Sequence, residues 1–312
     1  MKAFIFDPLW DELVTPKLLA QLDTAGVECI VKKEVAPLAD CAALFEGDEE
    51  RLLCMNPDYV GWKLSSDDYK NIPHLNAILT ASTAFGWLDA SYATEHGIPI
   101  CNIRGFSSQA VAEWATMIMF NLARQVPRLI KDGFPLDYDK DYMKYRGVEL
   151  RGKTVGIVGL GKIGTAIAAR CEGLGMHVTY WSQNSRNDQY EYNELSQLLA
   201  SADVIFPLMA INDETKQVLS NELLNTMKPS AMLIDMVEIV DEEHVATMVA
   251  EGKLFGFGFE AKPGKFNDYA GNVWAAPPYG WTTDNSMYGS VERWVENMVA
   301  ASNNQFSMRI NG

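Results

Sequence analysis

Long apolar runs are missing from this 312-residue chain. None approaches the roughly 20 residues that a helix needs to cross a bilayer, so no membrane association is expected. Positive charge is scarce as well. Twenty-six Lys and Arg stand against 41 Asp and Glu, a formal net charge of −15. Nucleic acid demands the opposite footprint and is not an expected partner. The five cysteines (Cys29, Cys41, Cys54, Cys101, Cys171) are odd in number and never form a CxxC pair. That pattern indicates reduced thiols in a cytoplasm. Histidine is sparse too, at 74, 96, 177 and 244, and the scatter of both residue types leaves no metal-ligand spacing, so no metal is expected. Two local absences matter later. No arginine lies between Arg186 and Arg293, and no histidine follows His244.

What remains is ordinary globular composition, 48% apolar and 21% charged, at a length that suits two compact domains. The opening residues meet Asp7 and Pro8 too soon for a signal peptide and read as a strand. Short buried strands are predicted at Ala3–Phe6, Glu28–Lys32, Arg51–Met55, Ala77–Leu79 and Pro99–Asn102, with helical patterns around Pro16–Ala25 and Asp40–Leu44. This alternation implies a parallel sheet covered on both faces. Ser107 or Ser108 caps a long apolar helix, Ala110 to Leu122, read as a connector and a candidate subunit contact. The polar Lys131–Arg146 stretch reads as a surface excursion.

A second alternation begins at Thr154. Strands are predicted at Thr154–Val158, His177–Trp181, Val204–Pro207, Met232–Asp235, Phe255–Phe259 and Val273–Ala275. Helices are predicted at Ile163–Gly173, Tyr192–Leu199, Asn221–Met227 and Asp241–Glu251, and a last one at about Ser290–Ala301 packs back on the first domain. The first of these strands runs into Gly159-Leu160-Gly161-Lys162-Ile163-Gly164. GxGxxG alone is a weak signal; between a strand and a helix it is the dinucleotide fingerprint. The first glycine makes the turn, the second admits the pyrophosphate, the third lets helix pack on strand. The N–H groups and dipole of the helix terminus hold the phosphates.

About 20 residues on, an acidic residue would bond the adenosine ribose. Ser182 stands there instead, followed by Arg186. Loss of a carboxylate removes repulsion from a 2′-phosphate, and arginine pairs with one. NADP is therefore preferred over NAD as cofactor, the alternative being that Ser182 binds the ribose of NAD while Arg186 faces water.

The motifs Gly97-Ile-Pro-Ile-Cys-Asn102, Ala110-Val-Ala-Glu113, Leu150-Arg-Gly-Lys-Thr-Val-Gly-Ile-Val-Gly-Leu-Gly-Lys-Ile-Gly164, Asp213-Glu-Thr215, Leu223-Leu-Asn-Thr-Met-Lys-Pro229 and Val240-Asp-Glu-Glu243 make the chain resemble the D-isomer-specific 2-hydroxyacid dehydrogenases over nearly its whole length. The resemblance implies an α/β fold: a flavodoxin-like substrate domain over residues 1–101, completed by a C-terminal helix within 288–312, and a Rossmann dinucleotide-binding domain over 102–287. It further implies a small-molecule substrate in the cleft between them, a homodimer through the helix near Ala110, and Met209 and Glu260 beside the cofactor. The substrate carboxylate would meet Thr83, Ala84 and Phe85 on the Thr80–Asp89 loop, with Ser82, Trp87, Trp10, Trp62 and Trp281 as further walls.

In that family an arginine holds the carboxylate, a histidine exchanges the proton and a glutamate supports the histidine. None of the three is here. The arginine segment reads Leu233-Ile-Asp-Met-Val-Glu-Ile-Val-Asp-Glu242, two residues short, with Glu238 nearest the arginine position. Glu260 replaces an aspartate, and the glutamate position falls on Lys265; the histidine segment reads Ala276-Pro-Pro-Tyr-Gly-Trp281. An acid at the arginine position repels a 2-oxo acid by roughly 1 to 4 kcal/mol at ~4 Å. Three readings stay open. One is an oxidoreductase with a rebuilt site, in which Tyr279, Lys262 and Lys265 are the candidates for proton transfer and Glu238 or Glu260 is a partner or cation ligand. Another is a catalytically inactive dinucleotide-binding relative acting as sensor or scaffold. The third keeps hydride transfer with a positioned water. An uncharged or amine-bearing substrate suits Glu238 better than an acid.

Overall fold

The computed structural model describes residues 1–135, 140–209 and 215–311; Asp213 and Glu214 of the family motif, and part of the Lys131–Arg146 stretch, lie outside them. Two compact units form. One comprises Met1–Ser107 with the C-terminal residues from Thr282, the other Ser108–Trp281.

In the first unit five strands pair in parallel: β1 (Lys2–Phe6), β2 (Glu28–Lys32), β3 (Arg51–Met55), β4 (Leu75–Thr80) and β5 (Ile100–Cys101), in the order β2-β1-β3-β4-β5. This is the flavodoxin-like order. Every residue of β3 is buried, as expected of a strand covered on both faces. Arg51 at its start is buried too, and its guanidinium donates to the carbonyls of Pro73 (2.7 Å), Gly47 (2.9 Å), Glu49 (3.0 Å) and Glu46. A charge sits inside because backbone oxygens replace its hydration.

The last helix spans Asp284–Ser302, starting six residues before the expected Ser290 because Thr283 caps it by accepting from the Ser286 N–H. Its Val291, Trp294, Val295, Met298 and Ala301 enter one core with Leu18, Leu22, Leu52 and Leu79. Trp294 is fully buried, donates to the Leu79 carbonyl at 3.0 Å and meets Trp10 edge-on at 5.9 Å. Such a side chain contributes about 3–5 kcal/mol relative to alanine.

The second unit carries β6 (Thr154–Val158), β7 (His177–Trp181), β8 (Glu191–Tyr192), β9 (Val204–Pro207), β10 (Met232–Asp235), β11 (Gly256–Glu260) and β12 (Val273–Ala276), ordered β12-β11-β10-β9-β6-β7-β8 with all pairs parallel. Counted within the unit this is 7-6-5-4-1-2-3, the doubly wound dinucleotide-binding order with one added strand. The expected Tyr192–Leu199 helix is displaced to Leu195–Ser201, because Tyr192 pairs with Tyr180 and makes β8. The Ser108–Ala123 helix buries Ala112, Ala115, Ile118, Met119 and Leu122 in the same cluster as Val155, Ile157 and Ile167. No helix among the described residues is long and apolar enough to cross a membrane.

Candidate coenzyme and active site

The strand-turn-helix at β6 gives each fingerprint glycine its own physical reason. Gly159 has φ 104°, donates to the Trp181 carbonyl at 2.8 Å, and a Cβ there would sit 3.0 Å from the Leu208 carbonyl carbon and the Met209 nitrogen. Buried Met209 thus floors the turn. A Cβ on Gly164 would lie 2.5 Å from the Gly159 oxygen, so the helix packs onto its own loop only without one. Gly161 is different: nothing comes within 4 Å of its added Cβ. Its backbone faces open space where a pyrophosphate can approach.

The helix Lys162–Gly173 starts here, with the Thr165 N–H bonded to the Gly161 carbonyl at 2.8 Å. Earlier N–H groups have no acceptor within the helix and, with its dipole, favour an anion. Ile163 and Leu160 pack against the core while Lys162 is exposed. The residues present therefore fit a dinucleotide.

At the end of β7, buried Ser182 accepts the Leu160 N–H at 3.2 Å, so it supports the phosphate loop directly. Arg186 donates to the carbonyls of Ser182 and Ser185, both at 3.0 Å, and lies 3.9 Å above the Tyr192 ring centroid. Sequence reasoning missed Tyr192 because it was read as helical.

The carboxyl ends of β10 and β11 hold a group of acids. Asp235 closes β10 fully buried and accepts the N–H groups of Val237 (2.9 Å), Ile239 (2.8 Å) and Val240 (3.0 Å). Burial raises its pKa, against the pull of those bonds. The turn it builds presents Glu238, exposed, with φ 55°. Glu260 closes β11 and is pushed up to about 7, first by burial, then by the charges of Glu238 and Asp235, against a hydrogen bond from the Gly280 backbone. A Cβ on Gly280 would lie 3.1 Å from Trp114 Cδ1 and 3.4 Å from Glu260 Oε1, so this loop wraps closely over the carboxyl. Tyr279, one residue earlier, is 56% exposed.

Lys265 is not brought into this group by any contact: it is exposed and bonded to Asp268 at 2.7 Å, a bond that raises its pKa. Among the described residues no three His, Cys, Asp or Glu are arranged to hold a metal. Asp235, Gly280 and Trp114 were missed by sequence reasoning; the one available signal was an aspartate ending the apolar run Met232–Asp235.

In the first unit the Thr80–Asp89 loop is fastened through its carbonyls. Asn102 Nδ2 donates to Thr83 (2.7 Å), and Ser82 Oγ (2.7 Å) and Trp87 Nε1 (2.8 Å) both donate to Ala84. Phe85 is 47% exposed, and Trp62, also exposed, meets Trp87 edge-on at 6.4 Å. Asn102, directly after β5, is a fastener that its place in the Gly97–Asn102 motif did not reveal.

The glycine geometry predicts a contrast. Gly161→Ala keeps the melting temperature but weakens NADPH binding by about tenfold or more, since the added methyl occupies only the space where the pyrophosphate approaches. Gly164→Ala lowers both. Fluorescence titration and thermal unfolding of the two variants check this, and equal behaviour would count against the assignment.

Residues 116–270 match the NAD binding domain of D-isomer specific 2-hydroxyacid dehydrogenases. The glyoxylate reductase of Thermofilum pendens is 30% identical over 232 residues, covering 69% of this chain and 66% of that protein. That of Thermococcus gammatolerans is 27% identical over 264 residues, 78% of each chain. Among solved structures, an acyclic imino acid reductase in complex with NADPH and D-Arg has a TM-score of 0.81 at 20% identity, covering 99% of this chain and 100% of that one. A glyoxylate reductase from Paecilomyes thermophila gives 0.82 at 20% identity, covering 99% and 97%. The NAD complexed D-isomer specific 2-hydroxyacid dehydrogenase of Lactobacillus delbrueckii ssp. bulgaricus gives 0.77 at 17% identity over the whole of both chains. The structural likenesses speak for the fold; the sequence matches, which span the nucleotide cradle around Gly159–Gly164, show that this chain belongs to the D-isomer specific 2-hydroxyacid dehydrogenase family.

Proposed function

We propose that the chain is an NAD(P)-dependent oxidoreductase whose centre has been rebuilt around carboxylates. Its substrate has no anion at the reacting carbon: a neutral carbonyl compound or a cationic imine. The observation that carries this is the group Asp235, Glu238 and Glu260 at the carboxyl ends of β10 and β11, where mutual charge and burial bring Glu260 to about 7. Ligands of such sheets bind at this edge.

The bound coenzyme supplies or accepts a hydride. The chain supplies the proton and the electrostatic field. Glu260, poised near neutrality, gives its proton to the oxygen of a carbonyl that has gained hydride at carbon, leaving an alcohol and a carboxylate. A protonated imine gains hydride at carbon and leaves as an amine, its positive charge matched beforehand by Glu238. The backbone N–H of Gly280 steadies Glu260, and the Tyr279 hydroxyl orients the substrate's polar end. Lys265, held by Asp268, has no part in the proton step. The imino acid reductase of the same fold, in complex with NADPH and D-Arg, supports imine chemistry as compatible with this scaffold.

Two finer features belong to the same reading. Arg186, held over the Tyr192 ring and bonded to the Ser182 carbonyl, favours NADP through its 2′-phosphate. Apolar side chains exposed along the end of the Ser108–Ala123 helix and just beyond it, Phe120 (43%), Ile130 (41%) and Phe134 (63%), support a homodimer.

Glu260→Gln is expected to lower kcat for reduction about 100-fold with little change in NADPH affinity, in a screen of neutral carbonyls and cationic imines followed by coenzyme absorbance. In the native chain kcat/KM for carbonyl reduction falls as pH rises through about 7, the value at which Glu260 loses its proton. Stability moves the same way: the fold holds this proton more tightly than the unfolded chain, so the contribution is present at low pH and lost as pH rises from 4.5 towards 7. Turnover with no substrate class would favour the sensor or scaffold reading instead. Arg186→Ala should cut the preference for NADPH over NADH about tenfold, read by titrating both; an unchanged ratio refutes the phosphate role. Light scattering should give twice the monomer mass, and Phe134→Asp should shift it towards monomer, whereas a monomeric native chain removes the dimer.

A further inference from the structure

The Ser108–Trp281 unit has a cavity at the other edge of its sheet. It measures about 630 Å³ and is bounded by Pro229, Phe255 and Asn272, which precede β10, β11 and β12. The phosphate loop and the acidic group stand at the carboxyl ends of the strands, so this space is not part of the coenzyme cradle. Its volume suits a small organic molecule rather than a bare ion.

Its charge is opposite to that of the chain. Arg128, Lys131, Lys144 and Arg146 line it, with Asp132 as the one carboxylate among the described residues of the lining, in a chain of net charge −15. Asp132 is bonded to Lys144 at 2.9 Å. Among the described residues no carboxylate stands within ion-pair distance of Arg128, Lys131 or Arg146. Neutral partners hold the first two instead. Arg128 donates to Gln125 Oε1 at 3.3 Å, and Lys131 Nζ to the carbonyls of Tyr269 (2.9 Å) and Val273 (2.8 Å). Burial pulls Lys131 down to about 8, while those two carbonyls take the place of water around its ammonium.

The cluster is also built, not scattered. Gln125 is 5% exposed, has φ 53° and donates through Nε2 to the Arg146 carbonyl at 2.7 Å. That bond pins the Lys144–Arg146 segment beside the Val126–Lys131 helix, bringing cations from two stretches to one wall. Guanidinium forks match phosphate oxygens two at a time, and a half-buried ammonium adds a point charge.

We infer that this cavity is a binding site for a small phosphate-bearing organic anion, distinct from the coenzyme site. The inference does not depend on the reaction proposed above.

Inorganic phosphate is the probe, titrated into the full chain by calorimetry at constant ionic strength set with chloride. Saturable binding is expected, weakened about tenfold by Arg128→Gln or Arg146→Gln and abolished in the double variant. NADPH affinity stays unchanged in these variants, which also shows that they fold. Gly161→Asp, which blocks the coenzyme cradle, leaves phosphate binding intact. The site is overturned if the native chain shows no saturable phosphate binding. It is equally overturned if the arginine variants bind as well as the native chain, or if Gly161→Asp removes the binding. Citrate binding without phosphate binding would refute the phosphate class.

Discussion

One buried carboxylate organises the candidate active site. Asp235 ends β10 in a place where water cannot reach it, and three consecutive-turn N–H groups, from Val237, Ile239 and Val240, take the place of hydration. Those bonds dictate a short turn and place Glu238 at its tip in a left-handed conformation. An acid thus stands at the tip of this turn, near the position where the resemblance would put the family's arginine.

The rest of the site follows from that charge. Glu260, on the neighbouring strand, is already partly desolvated, and ionising it beside Glu238 and Asp235 costs more still. A group that would be a plain carboxylate in water becomes one that exchanges a proton near neutrality. On the proposed reading Glu260 does the work of the family's histidine by a different route: burial and repulsion raise an acid, where histidine needs only small adjustment. On the same reading this field disfavours anionic substrates, so proton carrier and substrate class change together.

The net charge of the chain hides a polar distribution. In the Ser108–Trp281 unit the carboxyl edge of the sheet gathers acids around Glu260, while the amino edge gathers Arg128, Lys131 and Arg146, with no carboxylate among the described residues in ion-pair contact with them. Parallel strands make this possible, because every β-to-α connection opens at one edge and every α-to-β connection at the other. On the proposed reading the coenzyme's phosphates meet the backbone at Gly161 and the Arg186 side chain, not the side chains around Glu260. Local fields rather than the total charge decide what each edge binds.

Much of this architecture was legible in the amino-acid order. β2, β3, β6, β7, β9 and β10 have the bounds that their apolar runs predict, and Gly159-x-Gly161-x-x-Gly164 marked the cradle, because strand burial and tight turns are written in adjacent residues. The missing arginine and histidine were equally plain, since an absence needs no alignment. The early start of the last helix and the Tyr192 strand pairing were less so: a cap at Thr283 and a partner at Tyr180 compete with helical periodicity. What no local pattern contained is the state of Glu260, the anchoring by Asp235, and the union of Arg128 with Arg146 through Gln125. These depend on burial and on charges brought together from distant parts of the chain. Residue types alone determined which of the family's groups are absent; only the tertiary structure, by setting distance and dielectric, decided the state of the acids at that edge of the sheet.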